Sequence, residues 1–430
     1  MDARSREDAP LRRVAARRAA FGIVAGASIV AAALAGVPGW LQPVAHAAES
    51  VGAALAVLCG LGAIFGIVYT VLTAQLVGRF FARSAPAPTS FPPVTLVKPL
   101  HGDEWNLEGQ LASFFEQDYP GPVQLLFGVH DPADAALKTV EVLKARYPHA
   151  NVTVVADPQL HGLNRKVSNL VNMLPAAEYD VLCFTDSDVT AEPDFLRNVV
   201  GELQQPEVGL VTCLYRGLCQ PGFWPRLSEA ATNYQFLPGV VAGLAIGRAR
   251  PCFGQTIAMT RDMLSRIGGL ARFASHLAED NAIGEAIRDT GAKVAIPPFV
   301  VRHACAETTF ARLFSHELRW SRTIRAVDRA GHLGSAVTHP LAFAMLAALL
   351  SGGAGWAWPL VVLALVARGL LKRQVDRVTG ARRGGLWVLP ISDIVSFAIF
   401  VASFLSGRVV WRGVDFGVDG KGQLYPLRND

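Results

Sequence analysis

The chain has 430 residues, 51% of them hydrophobic and 17% charged, which is too apolar a balance for a purely water-soluble protein of one or two ordinary domains. Lys and Arg outnumber Asp and Glu by 40 to 35. This small positive excess gathers at the flanks of apolar segments, so it argues for an anionic membrane face and against a nucleic-acid partner.

Residues 1–18 form a basic tail containing Arg4, Arg6, Arg12, Arg13, Arg17 and Arg18. Ala19 to Val44 and Val51 to Val77 carry no Asp, Glu, Lys or Arg, and each is long enough to cross a hydrocarbon layer of about 30 Å. Residues 19–78 are therefore predicted to hold two transmembrane segments with the basic tail in the cytoplasm. Ala45-His46-Ala47 is similar to a signal-peptidase site and offers a cleaved leader as the other reading of the first segment. Either way the domain that comes next is cytoplasmic. The six cysteines have no CxxC spacing and read as reduced core thiols.

Residues 79–330 alternate apolar and polar segments. Strand-like runs at Val94 to Val97, Val123 to Val129, Val152 to Ala156 and Val181 to Phe184 are separated by helical lengths such as Asn106 to Gln117 and Pro132 to Tyr147. This rhythm predicts an α/β domain with an open parallel sheet, in which ligands bind beyond the carboxyl ends of the strands. The residues ending those runs are Lys98, His130 and Asp131, Asp157, and the pair Asp186 and Asp188. Carboxylates at i and i+2 on a strand exit point the same way and suit a hard divalent cation; an Asp-Ser-Asp turn capping the helix near Pro193 is the alternative. Asp131 precedes a proline that opens a helix, so it too can be a cap. Arg165 and Lys166 start an amphipathic helix whose free amides could meet phosphate oxygens, or could simply be solvated.

Glu279 and Asp280 open a helix running to about Asp289, where acids are favoured by the macrodipole and where a carboxylate can also act as a general base. From Phe310 to Arg325, spacing of three and four puts His316, Arg319, Trp320 and Thr323 on one face. A basic face with an exposed tryptophan suits a headgroup layer or a diphosphate. Residues 338–406 hold further transmembrane or interfacial segments. Pro340 to Leu371 is one tilted helix or a hairpin broken near Ser351, and Leu386 to Leu405 contains Asp393. Residues 407–430 form the C-terminal tail.

Asp131, Asp186-Ser-Asp188, Ala278-Glu-Asp280 and His316-Glu-Leu-Arg-Trp320, in this order, resemble the dispersed aspartates and (Gln/Arg)-x-x-Arg-Trp motif of membrane-bound inverting glycosyltransferases of family 2/21 type, which have a GT-A (Rossmann-like) fold. Val97-Lys-Pro-Leu-His-Gly102, Phe114-Phe-Glu-Gln-Asp-Tyr-Pro120 and Asn164-Arg-Lys-Val-Ser-Asn-Leu170 resemble the ceramide glucosyltransferase branch. Trp224 through Pro238 and Pro251-Cys-Phe-Gly254 look most like bacterial hopanoid-biosynthesis-associated glycosyltransferases. His316 departs from the family pattern, where glutamine or arginine is usual. The resemblance implies transfer from a UDP-sugar to a membrane-lipid hydroxyl, N-acetylglucosamine to bacteriohopanetetrol first and glucose to ceramide second. It also implies a multi-pass protein of the bacterial inner membrane with its catalytic domain in the cytoplasm.

By the same resemblance Asp280 is the base and Asp131 contacts uridine. Asp186 and Asp188 hold the donor through Mg²⁺ or Mn²⁺, Lys98, Lys166, His316 and Arg319 bind substrate or nucleotide, and Trp320 forms part of the acceptor floor. A processive polysaccharide synthase, a polyprenyl-phosphate sugar transferase and a non-catalytic sugar-nucleotide-binding membrane protein are the alternatives.

Overall fold

The computed structural model describes residues 42–381 and 385–405, together with the backbone of three short strands, Val409–Trp411, Val414–Val418 and Leu424–Pro426. The basic tail, the first apolar segment, the side chains of Ala45-His46-Ala47 and most of the C-terminal tail lie outside the described residues.

The chain divides into two compact units, residues 1–70 with 337–368 and residues 71–336 with 369–430. Helix α1 (Gln42–Phe81) runs from the first into the second. Its stretch Glu49–Phe81 is long and apolar enough to cross a membrane; the bent pair Arg329–Thr338 and Pro340–Leu350 counts as a second such segment only if taken as one span. In the first unit, Ala63 packs on Leu341, Ala344 and Ala364. Gly66 permits the close approach: a Cβ there would lie 2.8 Å from the carbonyl oxygen of Val337.

The second unit is an α/β domain. Its strands are β1 (Val94–Pro99), β2 (Val123–Val129), β3 (Asn151–Ala156), β4 (Val181–Thr185), β5 (Val189–Thr190), β6 (Val208–Thr212), β7 (Leu214–Cys219), β8 (Thr256–Thr260), β9 (Lys293–Ala295) and β10 (Val300–Cys305). The principal helices are α2 (Leu107–Phe115), α3 (Ala136–Arg146), α4 (Arg165–Met173), α5 (Phe195–Leu203), α6 (Phe223–Ala231), α7 (Leu237–Ala245), α8 (Arg261–Arg266), α9 (Glu279–Asp289) and α10 (Phe310–Val327). Farther along come α11 (Arg329–Gly334), α12 (Pro340–Leu350), α13 (Trp358–Thr379) and α14 (Val388–Ser403). The apolar run after residue 340 is thus two helices, broken at residues 351–357.

The main sheet has the order β3-β2-β1-β4-β8-β6-β9. The strands β1 to β4 are parallel, as the rhythm of the sequence predicts. The wholly parallel sheet, however, is corrected: β8 runs antiparallel to both β4 and β6. The strand β4 (Val-Leu-Cys-Phe-Thr) is buried throughout because helices cover both faces. Alternation splits β1 between two cores, Leu96 packing with Phe127 and Phe114 on one face and Val97 with Val167 and Ile283 on the other. A smaller sheet, β5-β10-β7, closes the ligand end, and its antiparallel pairing sets Val189 opposite His303.

Candidate functional site

Three chain segments converge beyond β4. The first is the Asp186-Ser-Asp188 exit. The second is the start of α4, where the Asn164 side chain caps the helix by accepting from the Val167 amide at 3.2 Å. The third is the start of α9. There Lys166 Nζ lies 2.6 Å from Asp186 Oδ1 and 3.2 Å from Glu279 Oε1. Burial alone would lower the Lys166 pKa, but the two carboxylates outweigh it and raise it.

Asp280 sits beside this pair. Its Oδ2 accepts from the Gly254 amide at 3.0 Å and its Oδ1 from the Asn281 amide at 2.7 Å. Burial and the neighbouring Glu279 charge push its pKa up to about 7, against the pull of Lys166 and the two amides. Gly254 is a bare floor between these groups: a Cβ there would lie 2.9 Å from Lys166 Nζ, 3.6 Å from Asp280 Oδ2 and 3.8 Å from Asp186 Oδ2. Because β8 is reversed, its beginning stands at the edge where β1 and β4 end. That is how Gly254 reaches the site.

Asp188 faces His303, with Oδ2 at 3.3 Å from the ring Nδ1. Burial works to raise the Asp188 pKa, but His303 outweighs it and holds it low. The same pairing lifts His303 to about 9, although burial alone would depress it. Asp186 is shifted up, by burial and by the Asp188 charge, in spite of Lys166.

A divalent cation fits this corner. Asp188 Oδ1 is buried with no hydrogen-bond partner, and the carboxylates of Asp186 and Asp188 are oxygen donors suited to Mg²⁺ or Mn²⁺, while His303, paired with Asp188 Oδ2, braces the second of them. Among the described residues no cluster of three ligating side chains stands ready-made.

Lys98 does not line the open site. It is fully buried, donates to Thr185 Oγ1 (2.8 Å) and to the Asp186 carbonyl (2.9 Å), and stands 3.6 Å from the centroid of the Phe114 ring. Burial lowers its pKa to about 7, and its bonds fix the turn that presents Asp186 and Asp188. Asp131 is exposed at the β2 exit, where its Oδ1 accepts from the Ala133 amide at 2.8 Å in a local turn; it does not cap α3, which begins only at Ala136.

The helix α10 brings the remaining candidates, and one expectation changes. Trp320 is not an outward-facing anchor. It lies half-buried among Tyr215 (centroids 6.1 Å apart), Phe236 (6.4 Å), His303 (5.8 Å) and His316 (4.8 Å). The cause is a π-helical turn, Thr232–Phe236, between α6 and α7, which swings Phe236 onto the tryptophan. Phe236 also meets Phe253, next to Gly254, so the aromatic floor continues to Asp280. His316 Nδ1 is 2.8 Å from Glu307 Oε1. Arg319 is half-buried, and desolvation lowers its pKa against the charges of Glu279 and Glu317.

Sequence reasoning missed His303, Glu104 and Glu307. His303 sits in an alternating strand that reads as ordinary sheet, and only the β5–β10 pairing brings it to Asp188. Glu104 has one buried oxygen with no partner, and burial with the Asp188 charge raises it to about 7.

The sequence pattern of Glycosyl transferase family 21 matches residues 58–424. The chain belongs to this family. Among curated relatives it is 24% identical over 388 residues to ceramide glucosyltransferase 1 of Caenorhabditis elegans, covering 86% of this chain and 81% of the relative. It is 33% identical over 118 residues to the ceramide glucosyltransferase of Candida albicans, covering 25% of this chain and 22% of the relative. A mannosyltransferase from Pyrobaculum calidifontis, solved with GDP-mannose and Mn²⁺, superposes with a TM-score of 0.47 at 21% identity, over 82% of this chain and 99% of that one. As a member of this family the chain is a glycosyltransferase with a mixed α/β sheet.

Proposed function

We propose that this glycosyltransferase has a GT-A arrangement and moves a hexose unit from a UDP-sugar to the hydroxyl of a membrane lipid with inversion at the anomeric carbon. The observation that carries the proposal is Asp280: a carboxylate raised to about 7, held by two amides, beside the Asp186–Lys166 pair and the aromatic floor. A base with a pKa near the working pH takes a proton most effectively.

In this reading Asp131 holds the uridine. Lys166 and Arg319 offset the charge that grows on the leaving diphosphate. Asp186 and Asp188 would hold Mg²⁺ or Mn²⁺, which when bound supplies further charge neutralisation there, and His303 would position Asp188. Asp280 takes the proton from the acceptor hydroxyl as that oxygen attacks the face opposite UDP. Trp320, with Tyr215 and Phe236, supports the acceptor. One in-line displacement turns an α-linked donor into a β-glycoside and needs no covalent intermediate. The long apolar stretch Glu49–Phe81 supports placement in a membrane, which we assign to the bacterial inner membrane with the α/β unit in the cytoplasm.

The acceptor is a long-chain lipid alcohol. The sequence resemblance favours bacteriohopanetetrol with N-acetylglucosamine, and the names of the curated relatives favour ceramide with glucose. The test is purified full-length protein in detergent with Mg²⁺ or Mn²⁺, both UDP-sugars and both lipids, with products read by mass. A hexosamine on the hopanoid or a hexose on ceramide supports the reading and assigns the pair; transfer to neither sinks it. A polyprenyl-phosphate acceptor would need no strong base, so full activity of Asp280→Asn would favour that acceptor instead.

A further inference from the structure

The small sheet β5-β10-β7 has two unlike faces. Alternation gives Tyr215, Val301 and His303 to the face that meets the site, and all three are buried. The other face carries Thr190, Arg302 and Arg216 in a single row across the strands, because Thr190 pairs with Arg302 and Arg302 with Arg216. Paired strands stand about 5 Å apart, so the two arginines are immediate neighbours. Leu218, Val300 and Ala304 on the same face are only half-buried, which leaves the row accessible.

We infer that this row binds a phosphate group carried by an anionic membrane lipid. The charge pattern asks for an anion, because like charges directly opposite each other destabilise a sheet. Arg302 Nη2 lies 3.3 Å from Glu192 Oε1, but that glutamate is more than half exposed. For Arg216, burial and the Arg302 charge outweigh Glu229 and Glu192, and its pKa is lowered. The hydrogen-bond pattern asks for the same partner. Arg302 Nε and Thr190 Oγ1 are buried with no partner, and Thr190 is only 8% exposed. Buried donors left over in this way are rare, and phosphate oxygens would satisfy them together with both guanidinium forks.

The lipid source rests on the membrane placement proposed above and on the neighbours of the row. Two residues back on the same face, Leu214 and Val300 pack in the core that holds Val77 of α1 and Leu371 and Val375 of α13. A two-residue step on a strand is about 7 Å, so the row lies beside the ends of those helices. Both end in a basic turn, with Arg79 on α1 and Arg377 on α13, which suits an anionic headgroup layer. The row also bears on the site: the pairing that sets Thr190 against Arg302 sets Val189 against His303, whose ring meets Asp188. A phosphate on the outer face thus braces the strand pair that presents Asp188 on the inner one.

The test uses the full-length protein in a neutral, phosphate-free detergent. Phosphatidylglycerol is titrated in and counted by native mass spectrometry, and inorganic phosphate is added in parallel with Tm as the readout. Retention of one phosphatidylglycerol is expected. Arg216→Met and Thr190→Val should each weaken it about tenfold, the loss of a hydrogen bond to a charged group, while Lys138→Met, at an exposed lysine on α3, should not. Without lipid, Thr190→Val should melt no lower than the native protein, because it removes a hydroxyl that has no partner. A retained rise in Tm on adding UDP shows that each variant is folded. No retention of lipid or phosphate, retention that neither row variant weakens, equal weakening by Lys138→Met, or a lower Tm for lipid-free Thr190→Val each overturns the row. A Tm rise with inorganic phosphate that both row variants abolish, without lipid retention, keeps the anion site and overturns its lipid source.

Discussion

Asp280 shows how one side chain can serve chemistry at the expense of stability. Its raised pKa means that the folded state prefers the protonated acid. That preference contributes stability fully below the ordinary carboxylate value of about 3.9, and the contribution is lost as pH rises through about 7. Asp280→Asn should therefore unfold at a higher temperature than the native protein at pH 8, with the difference closing toward pH 4, as calorimetry would measure. The same variant should lose at least about 100-fold in transfer rate. The native protein should show an acid limb as pH falls below about 7, and a rate flat through that range would remove Asp280 from the role of base. This residue stood out in the sequence through the family resemblance, because an acid pair at a helix start is also what the macrodipole alone favours. Lys98 was legible as a polar strand end but not in its use. Only the packing of Phe114 and Thr185 around it turns a candidate ligand into a brace. His303 was hidden, because the strand pairing that brings it to Asp188 joins segments more than a hundred residues apart.

Among the elements, the π turn Thr232–Phe236 has the widest reach for its length. It aims Asn233 at β7, where its Oδ1 accepts from the Gly217 amide at 2.8 Å, and it aims Phe236 at Trp320. Tyr234 points elsewhere, donating to Asp376 at 2.7 Å and accepting from Lys372 at 2.9 Å on α13. Deleting Gln235 would restore α-helical bonding and rotate Phe236 and α7 by about 100°. The expected result is retained UDP binding, read as a Tm rise, with transfer reduced by about 100-fold because the acceptor floor is displaced. Unchanged transfer would mean that Phe236 and Trp320 need not meet. Nothing in Thr-Asn-Tyr-Gln-Phe marks a π turn, whereas β1 to β4 were readable from apolar runs ending in polar residues. The reversal of β8 was not readable, since Thr-Ile-Ala-Met-Thr carries no sign of its direction.

At the scale of the molecule, the α/β unit does not end where the sequence suggests. One of its cores joins Leu214, Leu227 and Leu313 to Val77 on α1, Leu371 and Val375 on α13, and Val388 and Leu389 on α14. Each such side chain contributes about 1.5–3 kcal/mol when buried. A fragment of residues 79–330 would expose this core, and it is expected to aggregate or melt without cooperativity in thermal unfolding; a soluble, cooperative fragment would show those helices to be dispensable. Hydropathy marks these helices as membrane-like and gives no sign that they also brace the catalytic unit. The reversed β8 also separates two parts of the proposed site. On that proposal the strand exits at β2 and β4 serve the donor, while the chain arriving at β8 brings Gly254 and Phe253 to the acceptor side. The two preferences would then be written on opposite polarities of the chain. Substitutions within residues 246–253 would be expected to change acceptor choice and leave nucleotide binding in place.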